Sequence, residues 1–255
     1  MRLVSYNILD GGEGRADPLA EVILAQHADI VALVEADDLA VVERIARRAG
    51  MDHVIARGRS HASALLSRWP IAESINWGQV KHKKLQNSLL EATVLEPGGR
   101  TWTIGVVHLL PYGTEDAEDA REKELKTLLK TFKRHRKQGR PHVLCGDFNS
   151  NAPWQEIDPA KCKPRTQDEW KSNHNRLPTR VMQSLIDHGY VEALRNIDPD
   201  AAKTATTFST QHPGQRVDYI FSFGIDPGLI LDAWIEKDRL ATYASDHYPL
   251  GAEFG

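Results

Sequence analysis

Val143-Leu144-Cys145-Gly146-Asp147-Phe148-Asn149-Ser150-Asn151 is the stretch that decides how this chain is read. Its short apolar run predicts a buried strand, and Gly146 permits a close backbone approach at the end of that strand. Asp147 and Asn149 are two apart, so on an extended backbone their side chains share a face while Phe148 points the other way. A carboxylate beside an amide, anchored by an aromatic, suits a hydrolytic water, a phosphoryl oxygen or a hard metal ion. The same residue types also favour a plain Asx turn closing a strand.

Working outward, the pattern of an apolar run ending in a polar group recurs. Residues 2–9 alternate as a strand with Asn7 near its end, Asp29-Ile30-Val31-Ala32-Leu33-Val34-Glu35 ends in a carboxylate, and the run 101–108 ends in His108. Val217-Asp218-Tyr219-Ile220-Phe221 is a strand with Asp218 one residue in, preceded by Arg216, and the chain closes with Ser245-Asp246-His247. Further strands are expected at 62–67 (followed by Arg68), 86–95 and 230–235, with the turn Glu96-Pro97-Gly98-Gly99-Arg100 joining two of the runs. Helices are expected over 17–27, 38–49 and 179–189. Another follows Pro111-Tyr112-Gly113, with Leu125, Leu128, Leu129 and Phe132 as its apolar stripe. Residues 152–178, with Trp154 and Trp170, lack a stable period and read as a long excursion of the kind that lines binding sites. The helices interrupt the strands too irregularly for a doubly wound sheet. The expected architecture is therefore α+β, two packed sheets with helices outside.

Bulk properties narrow the class. The 255 residues suffice for one large core or two modest domains, and 41% hydrophobic with 26% charged residues excludes a disordered chain. No apolar stretch is long enough to span a membrane, no secretory signal layout opens the chain, and two cysteines form no disulfide framework. A cytoplasmic monomer is the expectation. A net charge of -3 argues against coating nucleic acid over the whole surface, yet leaves room for a local positive groove. Nine Lys or Arg against two Glu over residues 121–140, and the cluster Lys81-His82-Lys83-Lys84, are candidates for such a groove or simply solvated faces.

Taken in order, Tyr6-Asn7, Glu35, Ala64-Leu65-Leu66-Ser67-Arg68, Val107-His108-Leu109, Gly146-Asp147-Phe148-Asn149, Arg216-Val217-Asp218-Tyr219-Ile220 and Ser245-Asp246-His247 resemble the motifs of the endonuclease/exonuclease/phosphatase superfamily. These DNase I-like metal-dependent phosphoesterases are matched across nearly the whole chain. The resemblance implies one domain over residues 1–255, a four-layered α/β sandwich whose two central, mostly antiparallel sheets are flanked by helices, and an active site at one edge. It implies Mg2+ (or Mn2+) held chiefly by Glu35 with Asn7 and Asp246 near it. Asp147 then activates or positions the attacking water, Asn149 orients water and phosphate, and His247, steered by Asp218, meets the phosphoryl oxygens from the side opposite His108. Tyr112, Arg216, Arg68 and Trp154 are the expected substrate contacts. The chain departs from the family pattern in two places. Val34 precedes Glu35 where many relatives carry glutamine, and the segment Arg59-Ser60-His61-Ala62-Ser63 lacks the acid that often partners the first histidine.

Three functions compete: a DNA or RNA phosphodiesterase, endonuclease or exonuclease; a hydrolase of a small or lipid-linked phosphate ester with the 152–178 excursion as its lid; and a non-catalytic binding module of the same fold. A continuous positive groove past the histidines would favour the first, and an enclosed pocket the second.

Overall fold

The computed structural model describes residues 1–80 and 84–255, so three members of the Lys81–Lys84 cluster (Lys81, His82 and Lys83) lie outside the described residues. One sheet contains β1 (Arg2–Asn7), β2 (Ile30–Val34), β3 (Asp52–Ala56), β4 (Ser63–Ser67), β11 (Ile230–Ile235) and β12 (Leu250–Phe254), in the order β11-β12-β1-β2-β4-β3. The other contains β5 (Ile71–Asn76), β6 (Leu89–Leu95), β7 (Thr101–His108), β8 (His142–Asp147), β9 (Val191–Glu192) and β10 (Asp218–Phe223), in the order β5-β6-β7-β8-β10-β9. Each sheet has one parallel pair, β1 with β2 and β7 with β8, and is otherwise antiparallel. The helices are α1 (Ala16–Ala25), α2 (Leu39–Ala49), α3 (Trp77–Val80), α4 (Glu115–Thr131), α5 (Lys133–Lys137), α6 (Pro164–Ser172), α7 (Arg180–Asp187), α8 (Ala193–Ile197), α9 (Pro199–Thr204) and α10 (Arg239–Ala244).

The side-chain alternation of the strands explains the layering. In β2, Ile30, Ala32 and Val34 enter the core between the sheets, while Val31 and Leu33 meet α1, α2 and α10 outside. In β8, Val143 and Cys145 face inward, while Leu144 meets α4 and α7. Leu125, Leu128 and Leu129 on α4 form the expected stripe, each buried leucine contributing about 2 kcal/mol. The result is a four-layered sandwich, helices–sheet–sheet–helices. Asp38 caps α2 by accepting from the Ala40 and Val41 N–H groups, and Gly50 ends it in a left-handed conformation. Gly146 has φ 136° and lies against β7 so closely that a Cβ would stand 2.0 Å from the Val107 carbonyl oxygen. Only glycine lets β8 approach β7 there.

Several elements depart from the sequence expectations. The 152–178 excursion contains α6, whose buried residues are Thr166 and Glu169 rather than an apolar stripe, so it carries no amphipathic signal. The expected strand at 86–95 begins only at Leu89. Strands β3, β5, β9 and β12 and the short helices α8–α10 were not anticipated; β5 is an edge strand with Ala72, Glu73 and Ser74 exposed. The basic stretch is only partly a charged surface. Arg121 is fully buried, paired with Glu118 at 2.9 Å and donating to the Leu110 and Tyr112 carbonyls, so it fastens the loop after β7. No helix among the described residues is long and apolar enough to cross a membrane.

Candidate active site

Strand parity brings the polar residues together. Asn7 continues the inward row of β1 that includes Leu3; His108 continues Ile104 and Val106 in β7; Asp147 continues Val143 and Cys145 in β8; Asp218 precedes Ile220 in β10. Asp147 pairs in register with His108 on one side and Asp218 on the other. Glu35 directly follows β2, whose Val34 pairs with Asn7, and Asp246 and His247 precede β12 beside β1. Each apolar row therefore ends in a functional group at the same rim of the sandwich. The backbone there is unusual, with Leu9, Asp10, Glu35, Tyr112 and Asn149 all at positive φ, and such conformations gather where a site is held under constraint.

The side chains form one connected cluster. The Asn7 amide Nδ2 donates to Glu35 Oε1 at 3.1 Å and to Asp147 Oδ2 at 3.2 Å, while Glu35 Oε2 accepts from the Asp10 N–H at 2.8 Å. His247 Nδ1 is 2.8 Å from Asp218 Oδ2, and its Nε2 faces Asp147 Oδ2 at 3.8 Å and Asp246 Oδ1 at 3.9 Å. His108 Nε2 stands 4.0 Å from the same Asp147 oxygen. The other Asp147 oxygen accepts from the Asn149 N–H at 2.8 Å, an Asx turn. One oxygen thus closes the plain Asx turn, and the other faces the two histidines. Phe148 points into the outer core, as the alternation implied, but the strand ends at Asp147 and Asn149 turns left-handed, its amide donating to the Leu109 carbonyl at 2.9 Å.

Charge is divided unequally between the two imidazoles. Burial works against a proton on His247, but Asp218, Asp147 and Asp246 outweigh it and push its pKa up to about 10. His108 is pushed down to about 3 by burial, helped by the nearby charges of His61 and His247. At neutral pH one ring is a cation and the other is neutral. Burial, followed by the charge of Asp218, raises Asp147 well above the usual carboxylate range.

Three residues join the site without having been singled out. His61 lies 5.5 Å from the His108 ring and its Nδ1 is 2.8 Å from Asp37 Oδ2. The acid missing from the Arg59–Ser63 segment is therefore supplied by Asp37, and it serves His61; His108 Nδ1 has no hydrogen-bond partner among the described residues. Lys163, at the head of α6, donates to Asp246 Oδ2 at 2.9 Å and sits 4.2 Å from the Phe208 ring, which lies 4.7 Å from His247. His61 and Lys163 sit outside any apolar run and Phe208 stands in an isolated bridge, so none of them ends a row as Asn7 or His108 does.

Of the four expected substrate contacts, only Tyr112 reaches the cleft, an opening of about 350 Å³ that also exposes Glu35, His108, Asp147 and His247. Arg216 is fully buried in a two-pronged ion pair with Glu192 (2.9 and 3.2 Å), so it holds the lead-in to β10 rather than a ligand. Arg68 follows the far end of β4, whose Ser67 pairs with Ile30, and its Nε donates to the Ala28 carbonyl at 2.9 Å at the rim opposite the site. Trp154 packs against the core between the sheets and against the outer core under α4 and α7, with Arg195 4.1 Å above its ring.

The donor set fits a hard divalent cation. Carboxylate oxygens of Glu35, Asp147 and Asp246 line the cleft, Asp246 Oδ1 is buried with no hydrogen-bond partner among the described residues, and candidate ligand atoms of Asp147, Asp218 and His247 lie within 4.8 Å of one another. Asn7 turns Nδ2 toward the acids while its Oδ1 accepts from the Leu9 N–H at 3.0 Å, so its amide would rotate to serve as a ligand.

Acids, amides and unlike imidazoles thus gather at one rim of a two-sheet sandwich, a set suited to hydrolysis of phosphoester bonds. The family model described as the endonuclease/exonuclease/phosphatase family matches residues 4–247, and the chain belongs to that family. No curated protein matches the sequence. Among solved structures it is similar to the 3' phosphatase NExo from Neisseria bound to a product DNA hairpin (20% identity, 100% of this chain and 99% of that one, TM-score 0.75). It is similar also to an AP endonuclease from Archaeoglobus fulgidus (20%, 100% and 99%, TM-score 0.72). A third is an endonuclease/exonuclease/phosphatase from Beutenbergia cavernae (20%, 100% and 72%, TM-score 0.71). At these identities the likeness is one of fold.

Proposed function

We propose that this chain hydrolyses phosphodiester bonds in nucleic acid, as a single-domain cytoplasmic monomer using Mg2+ or Mn2+. The observation that carries this reading is the position of Asp147: one carboxylate oxygen faces the cationic His247 and the neutral His108, and is bridged through Asn7 to Glu35. Glu35 and Asp246, with Asn7 after its amide turns, would hold the cation, which supplies Lewis-acid stabilisation of charge on a phosphoryl oxygen. Asp147 takes a proton from the attacking water, and its raised pKa suits it as a base near neutral pH. Asn149 positions that water. His247 remains a cation beside Asp218 and faces the negative charge that grows on the phosphoryl oxygens. His108, neutral and confined, donates a hydrogen bond to the phosphate from the opposite side. Tyr112 lines the cleft and is available to contact the substrate.

A second reading, a terminal or small phosphate ester, is favoured by a pocket of about 200 Å³ beside the cleft, where Lys163 and Arg165 of the excursion meet Tyr112. Hydrolysis with Mg2+, Mn2+ or EDTA separates the two. The panel is supercoiled plasmid, single-stranded RNA, bis(p-nitrophenyl) phosphate and phosphomonoesters, with Asp147→Ala as control. Metal-dependent strand cleavage lost in the variant is the expected result. Monoester turnover with every polynucleotide intact would replace the first reading with the second.

A further inference from the structure

An open groove of about 840 Å³ runs along the outer side of α4 and meets the catalytic cleft, the two sharing Gln86 and Leu110 as walls. The junction is built, not incidental. Glu124 reaches from α4 and accepts from the Gln86 N–H at 2.8 Å and from the Leu110 N–H at 2.9 Å, locking both walls to the helix. From that point the groove follows α4 toward α5 and is lined by Lys123, Lys126, Lys130 and Arg134, with Arg59 and Lys84 opposite. Arg134 pairs with Glu91, but Arg59, Lys84, Lys123, Lys126 and Lys130 are exposed and make no ion pair among the described residues. Glu124 is the one acid in the lining among the described residues, and it is buried with its charge turned to backbone N–H groups.

We propose that this groove is the track for a single-stranded polynucleotide whose scissile phosphate lies in the catalytic cleft. The inference rests on the nuclease reading and adds where the flanking strand runs. Three features carry it. Lys123, Lys126 and Lys130, at helical spacings of three and four, stand in a row about 10 Å long, a linear array suited to successive phosphates. The groove floor is apolar, with Leu85, Leu110 and Ala120, and unstacked bases can lie on such a surface whereas those of a duplex are hidden in its stack. The chain as a whole is acidic at -3, so an unneutralised row of cations beginning at the cleft is a local device rather than a general basicity.

The test uses the triple variant Lys123→Gln/Lys126→Gln/Lys130→Gln, which alters exposed side chains outside the catalytic cluster. Binding of a fluorescent single-stranded oligonucleotide is followed by anisotropy in EDTA, so that nothing is cleaved, across a salt series. The expected result is affinity lowered about tenfold or more and a salt slope reduced by about 2, from about 0.7 for each of three lost phosphate contacts. Turnover of bis(p-nitrophenyl) phosphate with Mn2+ and the thermal midpoint should stay at wild-type values. Unchanged affinity and slope, or a loss confined to duplex, would overturn the track. Wild-type strand cleavage with an indifferent triple variant sinks this inference alone. A variant-sensitive strand affinity in a protein that cleaves only monoesters would leave strand binding in the groove but overturn the nuclease reading, and with it the placement of a scissile phosphate in the cleft.

Discussion

Glu192→Gln tests the account of Arg216 most severely. The Arg216 guanidinium is fully buried, held by two bonds to Glu192 whose own side chain is 1% exposed, and it lies 4.5 Å from the Tyr219 ring. Neutralising Glu192 leaves a cation in the interior without its hydrogen-bonded countercharge, and removing one partner of such a pair costs about 3–5 kcal/mol. Glu192 also caps α8 by accepting from the Leu194 and Arg195 N–H groups, and glutamine keeps only one of its two oxygens for that purpose, which adds up to about 1 kcal/mol. At roughly 2–4 °C per kcal/mol for a chain of this size, the midpoint should fall on the order of 10 °C. Urea unfolding followed by circular dichroism gives the free energy. The double variant Glu192→Gln/Arg216→Met removes the stranded charge and should recover about 2 kcal/mol of the loss, because a neutral pair need not be solvated. Activity per folded molecule should change less than about threefold in both variants, since Arg216 is buried away from the cleft. A single variant within about 1 kcal/mol of wild type, or a double variant no more stable than the single, would refute the buried-pair argument.

Three further outcomes follow from the site and the core. Asp218→Asn keeps the shape of the contact to His247 but removes its charge, so turnover of a small diester should fall by about 10²–10⁴ with little change in melting; a fall under tenfold would count against His247 as the cation. Glu35→Gln should weaken Mn2+ binding, read by titration calorimetry, by at least about tenfold, and unchanged affinity would move the cation elsewhere in the cluster. His142, stacked on Phe132 and Phe223 and held by burial at a pKa of about 4, takes up a proton on unfolding at any pH between that value and its unfolded one. Its folded value lies below the unfolded value of about 6.5, so stability present above pH 6.5 is lost as pH falls toward about 4, by about 3 kcal/mol at the limit. Denaturant midpoints between pH 7 and pH 4.5 measure this, and a flat profile would contradict it.

How much of this was legible in the sequence depends on whether a residue belonged to a row. Asn7, Glu35, His108, Asp147 and Asp218 each stand at or next to an end of a strand, so the same alternation that places the core also places them at the rim. Arg216 shares that parity with Asp218 and Ile220, and the row could have marked it as inward-facing; its expected role as a ligand contact came from the motif alone. His61, Phe208 and Lys163 belong to no such row, so no period marks them, and their proximity exists only once β4, the bridge at Phe208 and the head of α6 are folded against the rim. Helix α6 was hidden for a related reason. A helix that buries Thr166 and Glu169 does so through polar contacts, with Glu169 accepting from the Gly113 N–H at 3.0 Å, and such a helix has no hydrophobic period to detect. That contact ties the excursion to the loop carrying Tyr112, which Arg121 fastens from the other side. The wall of the cleft least visible in the sequence is thus built from buried polar bonds. If it sets substrate choice, Glu169→Ala should alter the ratio of small-ester to polynucleotide turnover more than it alters stability, and equal loss of both activities would assign Glu169 to folding alone.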